Sequence, residues 1–331
     1  MSKNGFLRSY NHDLGSTLAL VFMELSRFSR AGKIACHQST IGRMLTLDIP
    51  RALHAYSNRE SIRKGEGRPL DVRRLDIPDT DVIQLGEGPD LLLLHTLLAE
   101  RTVFDRVLPD LAARHRLTVP NLPGYGDTPP LDKPDPTVRD YADRIAGIMD
   151  AAGLPDNTAV LGNGAGGFMS VSLGIHHGDR FGKLILADTG PGFPEPAKKP
   201  LRILADKVEA EGMEAVLDAA MLRMFPEPYI AANPDVIAER KAALATCVPA
   251  AFAATALALA NVEMADEIGS ITNETLVMIG LDDATTPPDL SYALHHGIPR
   301  AKLVEIPDCG HCPQIQARDT FVASVLDFLA D

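Results

Sequence analysis

Thr158-Ala159-Val160-Leu161-Gly162-Asn163-Gly164-Ala165-Gly166-Gly167 is the stretch that decides how this chain of 331 residues is read. A short apolar run meets a cluster of glycines, which reads as a buried strand, a tight turn and the start of a helix. The spacing is that of a G-x-S-x-G elbow, in which the central residue is held at positive φ and needs small neighbours on both sides. Here the central residue is Gly164. Glycine keeps that backbone geometry at little cost because it has no Cβ, and it removes the hydroxyl. Ser170 and Ser172 are the only serines between residues 62 and 269. At 1.5 Å rise per residue, Ser170 stands roughly 9 Å along the helix and on another face. A plain glycine-rich turn or a phosphate-binding turn is the competing reading, and no second fingerprint accompanies it.

Working outward, strand and helix patterns alternate on both sides of the elbow. Asp71–Ile77 and Asp81–Leu85 read as strands joined by a Pro-Asp turn, and Leu91–His95 as a strand buried on both faces. A helix is expected over Phe104–Arg114, a strand at Leu117–Val119, and helices over Val138–Ala152 and Ala165–His177, with a strand at Lys183–Ala187 after them. From Gly192 to about Ile271 the strands stop, and helices are expected at 197–211, 213–224, 234–245 and 249–260. Strand–helix order then returns with Thr275–Ile279, Asp289–His296, Lys302–Ile306 and Thr320–Leu329. This pattern gives an α/β class with a mainly parallel sheet and one helical insertion. The expected division is an N-terminal extension 1–69, a core of 70–191 and 272–331, and a helical cap 192–271. Met213, Met221, Met224, Phe225, Phe252 and Met264 are expected to pack the cap and in part to roof an apolar pocket.

Composition narrows the function. Hydrophobic residues make up 45% and aromatics 5%, with no Trp, so the core is aliphatic. Residues 1–74 carry a net +7 and the remainder −19, an acidic body that argues against nucleic acid as a partner. No apolar run reaches the ~18–20 residues of a membrane span. Segment 16–25 resembles a short signal core, but Asp13 precedes it and no cleavage site follows. The basic, acid-poor stretch Ser26–Arg43 resembles an organelle transit peptide, but the expected reading is a surface helix or tail, or a start codon placed too far upstream. Four scattered cysteines, Cys36, Cys247, Cys309 and Cys312, do not make a disulfide framework, which suits a cytoplasmic location. No cofactor and no metal is expected.

Two further stretches carry chemistry. Asp308-Cys309-Gly310-His311-Cys312-Pro313 follows the last strand, and Gly280-Leu281-Asp282-Asp283-Ala284-Thr285-Thr286 follows the one before. His311 is the candidate base and Asp283 the candidate acid, with Asp282 and Asp188 as rivals. Cys309 and Cys312 form a C-x-x-C pair, but the surrounding pattern is not that of a thiol–disulfide oxidoreductase. Cys309, His311 and Cys312, crowded into four consecutive positions, cannot easily wrap a tetrahedral metal ion.

In order and spacing, LLLLHTLL, PNLPGYGDTPP, LGNGAGG, LILADTGPG, GLDDATTPP and the Gly-His of DCGHCPQ resemble an α/β-hydrolase from about residue 75 to 329. The texture is similar to the small-molecule branch that includes enol-lactonases and C–C bond hydrolases. The resemblance implies an α/β-hydrolase fold, a mainly parallel eight-stranded sheet flanked by helices with an inserted cap. It implies that Asp283 matches the acid, His311 the base and Gly164 the vacant nucleophile position. It also implies an oxyanion hole from the backbone N–H groups of Leu97 and Ala165. His95, Asn163, Cys309 and Cys312 are further expected to line the pocket. The chain departs from the pattern at Gly164, at His95-Thr96 where His-Gly is usual, and at Asn121 where Asp is frequent.

The expected activity is therefore work on a small, apolar carbonyl compound without a serine. His311 and Asp283 would act as general base on water or on a substrate proton. The alternatives are an inactive binding protein of the same fold, with the basic N-terminal extension as a partner-binding arm, or an inactivated serine hydrolase. On this reading Gly164→Ser should gain esterase activity.

Overall fold

The computed structural model describes residues 70–330. The expectations for residues 1–69 lie outside the described residues. Eight strands form one sheet: β1 (Arg73–Arg74), β2 (Val82–Leu85), β3 (Asp90–Leu94), β4 (Arg116–Pro120), β5 (Ala159–Asn163), β6 (Leu184–Ala187), β7 (Thr275–Gly280) and β8 (Ala301–Ile306). Their spatial order is β1-β2-β4-β3-β5-β6-β7-β8. The β1–β2 and β2–β4 pairs are antiparallel, and all others are parallel. β3 and β5, which are buried throughout, occupy the middle, as continuous apolar runs demand.

The helices that flank the sheet are α1 (Leu108–Ala112), α2 (Val138–Ala151) and α3 (Ala165–His177) on the N-terminal side of the chain. Thr137 starts α2 with a reciprocal capping box to Asp140. The helix then buries Val138, Tyr141, Ala142, Ile145 and Met149 as one stripe. α3 is buried from Ala165 to Gly174, so it is the central helix rather than a surface one. The single helix expected over 104–114 is instead a 3₁₀ turn at Arg101–Phe104 followed by the short α1. Pro109 at the second position of α1 explains the late start, since proline is tolerated only in the first turn.

Between β6 and β7 the chain contains no strand. It runs through α4 (Glu195–Glu211), a 3₁₀ turn at Met213–Val216, α5 (Leu217–Met224), α6 (Glu227–Ala232), α7 (Pro234–Ala245) and α8 (Pro249–Ala260). α6 was not expected from the sequence, because six residues are too few to show a period. The excursion is pinned where it leaves and returns. Gly192 bridges Glu263, and the Met264 N–H donates to the Pro191 carbonyl at 2.8 Å. No single helix among the described residues is long and apolar enough to cross a membrane. After β7 come α9 (Pro288–Gly297), β8, the short α10 (Pro313–Gln316) and α11 (Arg318–Ala330).

Candidate active site

The C-terminal ends of the parallel strands lie along one edge of the sheet, where open α/β sheets place their ligands. Thr96 follows β3, Gly164 follows β5, Asp188 follows β6, Asp283 follows β7 and His311 follows β8, each within a few residues of the strand end. Gly164 has φ 53° and ψ −117°, the elbow conformation that the spacing of the glycines anticipates. The approach of α3 to the sheet is tight. A Cβ on Gly166 would stand 2.3 Å from the Leu94 carbonyl oxygen.

His311 is buried and held from all sides. Its Nδ1 pairs with Asp283 Oδ2 at 2.8 Å, and its Nε2 meets the Thr96 hydroxyl at 2.9 Å. Its backbone N–H donates to the Met224 carbonyl at 3.0 Å, and its carbonyl accepts from Asn163 Nδ2 at 3.0 Å. Gln316 ties the preceding loop by accepting from the Gly310 N–H and donating to the Asp308 carbonyl. Asp283 is fixed by the backbone N–H groups of Thr285 (2.7 Å) and Thr286 (3.1 Å), and by the Thr286 hydroxyl (2.6 Å). Of the three acids weighed from the sequence, Asp283 is the partner of His311. Asp282 is exposed. Asp188 lies behind, accepting from the Gly280 N–H at 2.6 Å. Complete burial and the neighbouring Asp283 charge push its carboxyl well above the usual range.

The loop after β3 is set by His95. Its Nδ1–H donates to the Thr96 carbonyl at 2.8 Å, and its Nε2 accepts from the Leu122 N–H at 2.9 Å. Those two bonds require the neutral ring. Burial lowers its pKa to about 4, which keeps it neutral. Tyr125 packs edge-on against His95 and donates its hydroxyl to the Leu97 carbonyl at 3.0 Å. Asn121, the departure noted in the sequence, accepts from the Arg101 N–H and donates to Asp81, which forms a buried ion pair with Arg101 at 2.5 Å. Asp81 thus brings a carboxylate to this cluster from β2's leading edge.

A small, partly open cavity reaches this site. Thr96, Leu97, Gly164, Ala165 and His311 line its floor, with walls from Phe168, Phe193, Leu201, Leu204 and Leu259 and a single cation, Arg223. Phe168 and Phe193 stack at 4.9 Å. A larger groove beside α2 and α8 touches none of the floor residues and bears no relation to this chemistry. His95, Asn163, Cys309 and Cys312, expected along the pocket, do not line the cavity. Polarity drives the first two inward, because their side chains satisfy buried backbone groups. The cysteines are small and fully buried, and burial pushes both thiols up and away from thiolate chemistry. Of the expected roof methionines and phenylalanines, none lines the cavity; all six are buried core. Among the described residues no group of three or more His, Cys, Asp or Glu converges as metal ligands would.

Reading from sequence missed the engagement of Thr96 with His311, and the brackets supplied by Thr286, Gln316 and Met224. The only signal was the Thr in His95-Thr96, noted as a departure.

Sheet order, elbow and strand-end residues together define an α/β-hydrolase architecture, and comparison agrees. Residues 91–324 match the profile of the alpha/beta hydrolase family, and the chain belongs to that family. It is 29% identical over 248 residues to a pimeloyl-[acyl-carrier protein] methyl ester esterase of Nitrosomonas europaea, covering 72% of this chain and 94% of that one. It is 27% identical over 267 residues to a 2-hydroxy-6-oxo-6-phenylhexa-2,4-dienoate hydrolase of Burkholderia cepacia, covering 74% and 89%. The enol-lactonase structure from Burkholderia xenovorans LB400 superposes with a TM-score of 0.71 at 23% identity, over 78% of this chain and all of that one.

Proposed function

We propose that this chain is an enzyme acting on a small carbonyl compound, by ester or lactone hydrolysis, C–C cleavage or a related proton transfer, without a serine nucleophile. His311 is the general base, Asp283 orients it, and the backbone N–H groups of Leu97 and Ala165 receive the oxyanion. Ala165 is the first residue of α3, where backbone N–H groups have no intrahelical partner. The carrying observation is the buried line from Asp283 through His311 to a hydroxyl on the floor of an open cavity, at 2.8 and 2.9 Å. A bare structural histidine needs one partner, whereas this one has its second nitrogen aimed at the place where a ligand can sit.

The helices of 192–271 act as a cap over an apolar substrate body, through Phe193, Leu201, Leu204 and Leu259. Arg223 offers that body a cationic end. This favours substrates with a carboxylate, a feature in keeping with the dienoate named for one relative. The test is turnover of a panel of p-nitrophenyl esters, lactones and vinylogous diketo acids by wild type and His311→Ala. Turnover that collapses in His311→Ala supports the reading. A panel untouched by wild type, with ligands bound equally by both proteins, turns it into a binding protein.

A further inference from the structure

Gly164 and Thr96 are spatial complements. A Cβ placed on residue 164 would stand 2.3 Å from Thr96 Oγ1 and 2.5 Å from His311 Nε2, closer than the 3.0 Å that real Cβ atoms keep. The volume a serine side chain would fill at the elbow is therefore held by the threonine hydroxyl. That hydroxyl is 2.9 Å from His311 Nε2, whose Nδ1 is 2.8 Å from Asp283. Hydroxyl, imidazole and carboxylate stand in the sequence of a nucleophile, its base and the group that orients the base. The hydroxyl simply arrives from the turn after β3 instead of the turn after β5. Thr96 borders the cavity, its carbonyl is clamped by His95, and its β-branch limits χ1.

We propose that Thr96 is the nucleophile of this site, relocated from the elbow. This rests on the reading of His311 and Asp283 given under Proposed function and supplies its missing attacking group. In the first step His311 Nε2 takes the Thr96 hydroxyl proton as Oγ1 bonds to the substrate carbonyl carbon. The carbonyl π pair moves to oxygen and is received by the backbone N–H groups. Collapse of that adduct breaks the bond to the leaving oxygen, which takes the proton from His311, leaving an ester on Thr96. Water then attacks this ester with His311 accepting its proton. The Thr96 oxygen leaves, recovers the proton, and the carboxylic acid departs. One water is consumed and no oxidant or reductant enters.

The experiment incubates the full chain with a fluorophosphonate ester and maps the adduct by intact mass and peptide sequencing, alongside steady-state p-nitrophenyl ester turnover. One equivalent of label is expected on Thr96. The label should disappear in Thr96→Val and His311→Ala and remain in Thr96→Ser. Turnover should fall about as far in Thr96→Val as in His311→Ala, about 10³-fold or more, and stay within about tenfold of wild type in Thr96→Ser. In Thr96→Gly/Gly164→Ser, which moves the hydroxyl back to the elbow, the label should appear on residue 164. Melting curves verify that each variant is folded, and the mapped position of the wild-type label decides the matter even if Thr96→Val is not. Turnover that survives Thr96→Val but not His311→Ala overturns the proposal and leaves the functional reading standing, with His311 acting on water directly. A label on any other residue of the wild-type chain also overturns it. Absence of both turnover and label in wild type overturns the two together.

Discussion

The turn after β5 and the turn after β3 face the same imidazole and are built in opposite ways. The first has no side chain at its apex and is shaped by close backbone approach, Gly164 at φ 53° and Gly166 pressed against the Leu94 carbonyl, with the Thr189 and Ser170 hydroxyls tying the Gly164 and Gly166 carbonyls. The second presents a side chain, Thr96, and side chains hold it: His95, Tyr125 and, through Leu122, the loop after β4. One hydrogen bond couples them, from the Gly166 N–H to the His95 carbonyl at 2.9 Å. A site of this kind is defined by where the polar atom ends up relative to His311, and more than one turn can deliver it.

Removing the shared addressee should have the largest effect. On the proposed roles of base and orienting group, His311→Ala should lower turnover about 10³-fold or more, and Asp283→Asn by a similar order. Steady-state kinetics on the best ester of the panel measure both. If Asp283→Asn retains full rate, the comparison loses its common centre. The expected gain of esterase from Gly164→Ser alone also changes. The new Cβ collides with Thr96 and His311, so the single variant should lose both activity and melting temperature.

Acid should attack the β3 turn selectively. His95 is neutral in the fold with its pKa lowered to about 4, against an ordinary 6.5. The unfolded chain therefore takes the proton first. The contribution is fully present above pH 6.5 and is lost as pH falls toward about 4, by about 3 kcal/mol in total. Urea denaturation between pH 4 and 7 measures that slope. His95→Gln, which does not titrate, should flatten it. An unchanged slope would remove His95 as the keeper of this turn.

Gly166→Ala probes the other turn. Its Cβ would meet two backbone carbonyls, of Leu94 at 2.3 Å and His95 at 2.7 Å, which cannot rotate away as a side chain does. A loss of about 1–3 kcal/mol is expected in denaturant titrations, independent of pH. A pH-dependent loss would mean that the two turns yield together.

These contrasts also explain what could be read beforehand. β3, β5 and β7 announce themselves as continuous apolar runs, and the glycine spacing at 162–167 is a one-dimensional signature of a three-dimensional turn. His311 and Asp283 were legible because each follows a strand end. Their meeting at 2.8 Å is a consequence of sheet order. The Thr96 contact was not legible. It joins positions 215 residues apart, and nothing local distinguishes a threonine that reaches an imidazole from one that caps a turn. Asn163 was misplaced for a related reason: a polar residue beside a catalytic-looking turn suggests the pocket, yet its amide is consumed by the His311 and Ala187 carbonyls.

Asp188 tests whether the carboxyl behind the site matters to either turn. It ends β6 at φ 48° and accepts from the Gly280 N–H, but its Oδ2 is buried without a partner. Its pKa is raised by burial and by Asp283, so the folded chain keeps the proton that the unfolded chain gives up. Stability should then decline as pH rises above the ordinary carboxylate range, toward the raised value. Asp188→Asn removes the titration, keeps an oxygen for Gly280, and suits the left-handed backbone, which asparagine tolerates better than most residues. The variant should match wild type near pH 4 and exceed it at pH 8, because unfolded wild type gains stability by releasing a proton that the variant does not carry. Thermal melts at the two pH values measure this, and ester turnover should be nearly unchanged. A large fall in turnover would mean that Asp188, and not only Asp283, sets the imidazole that both turns address.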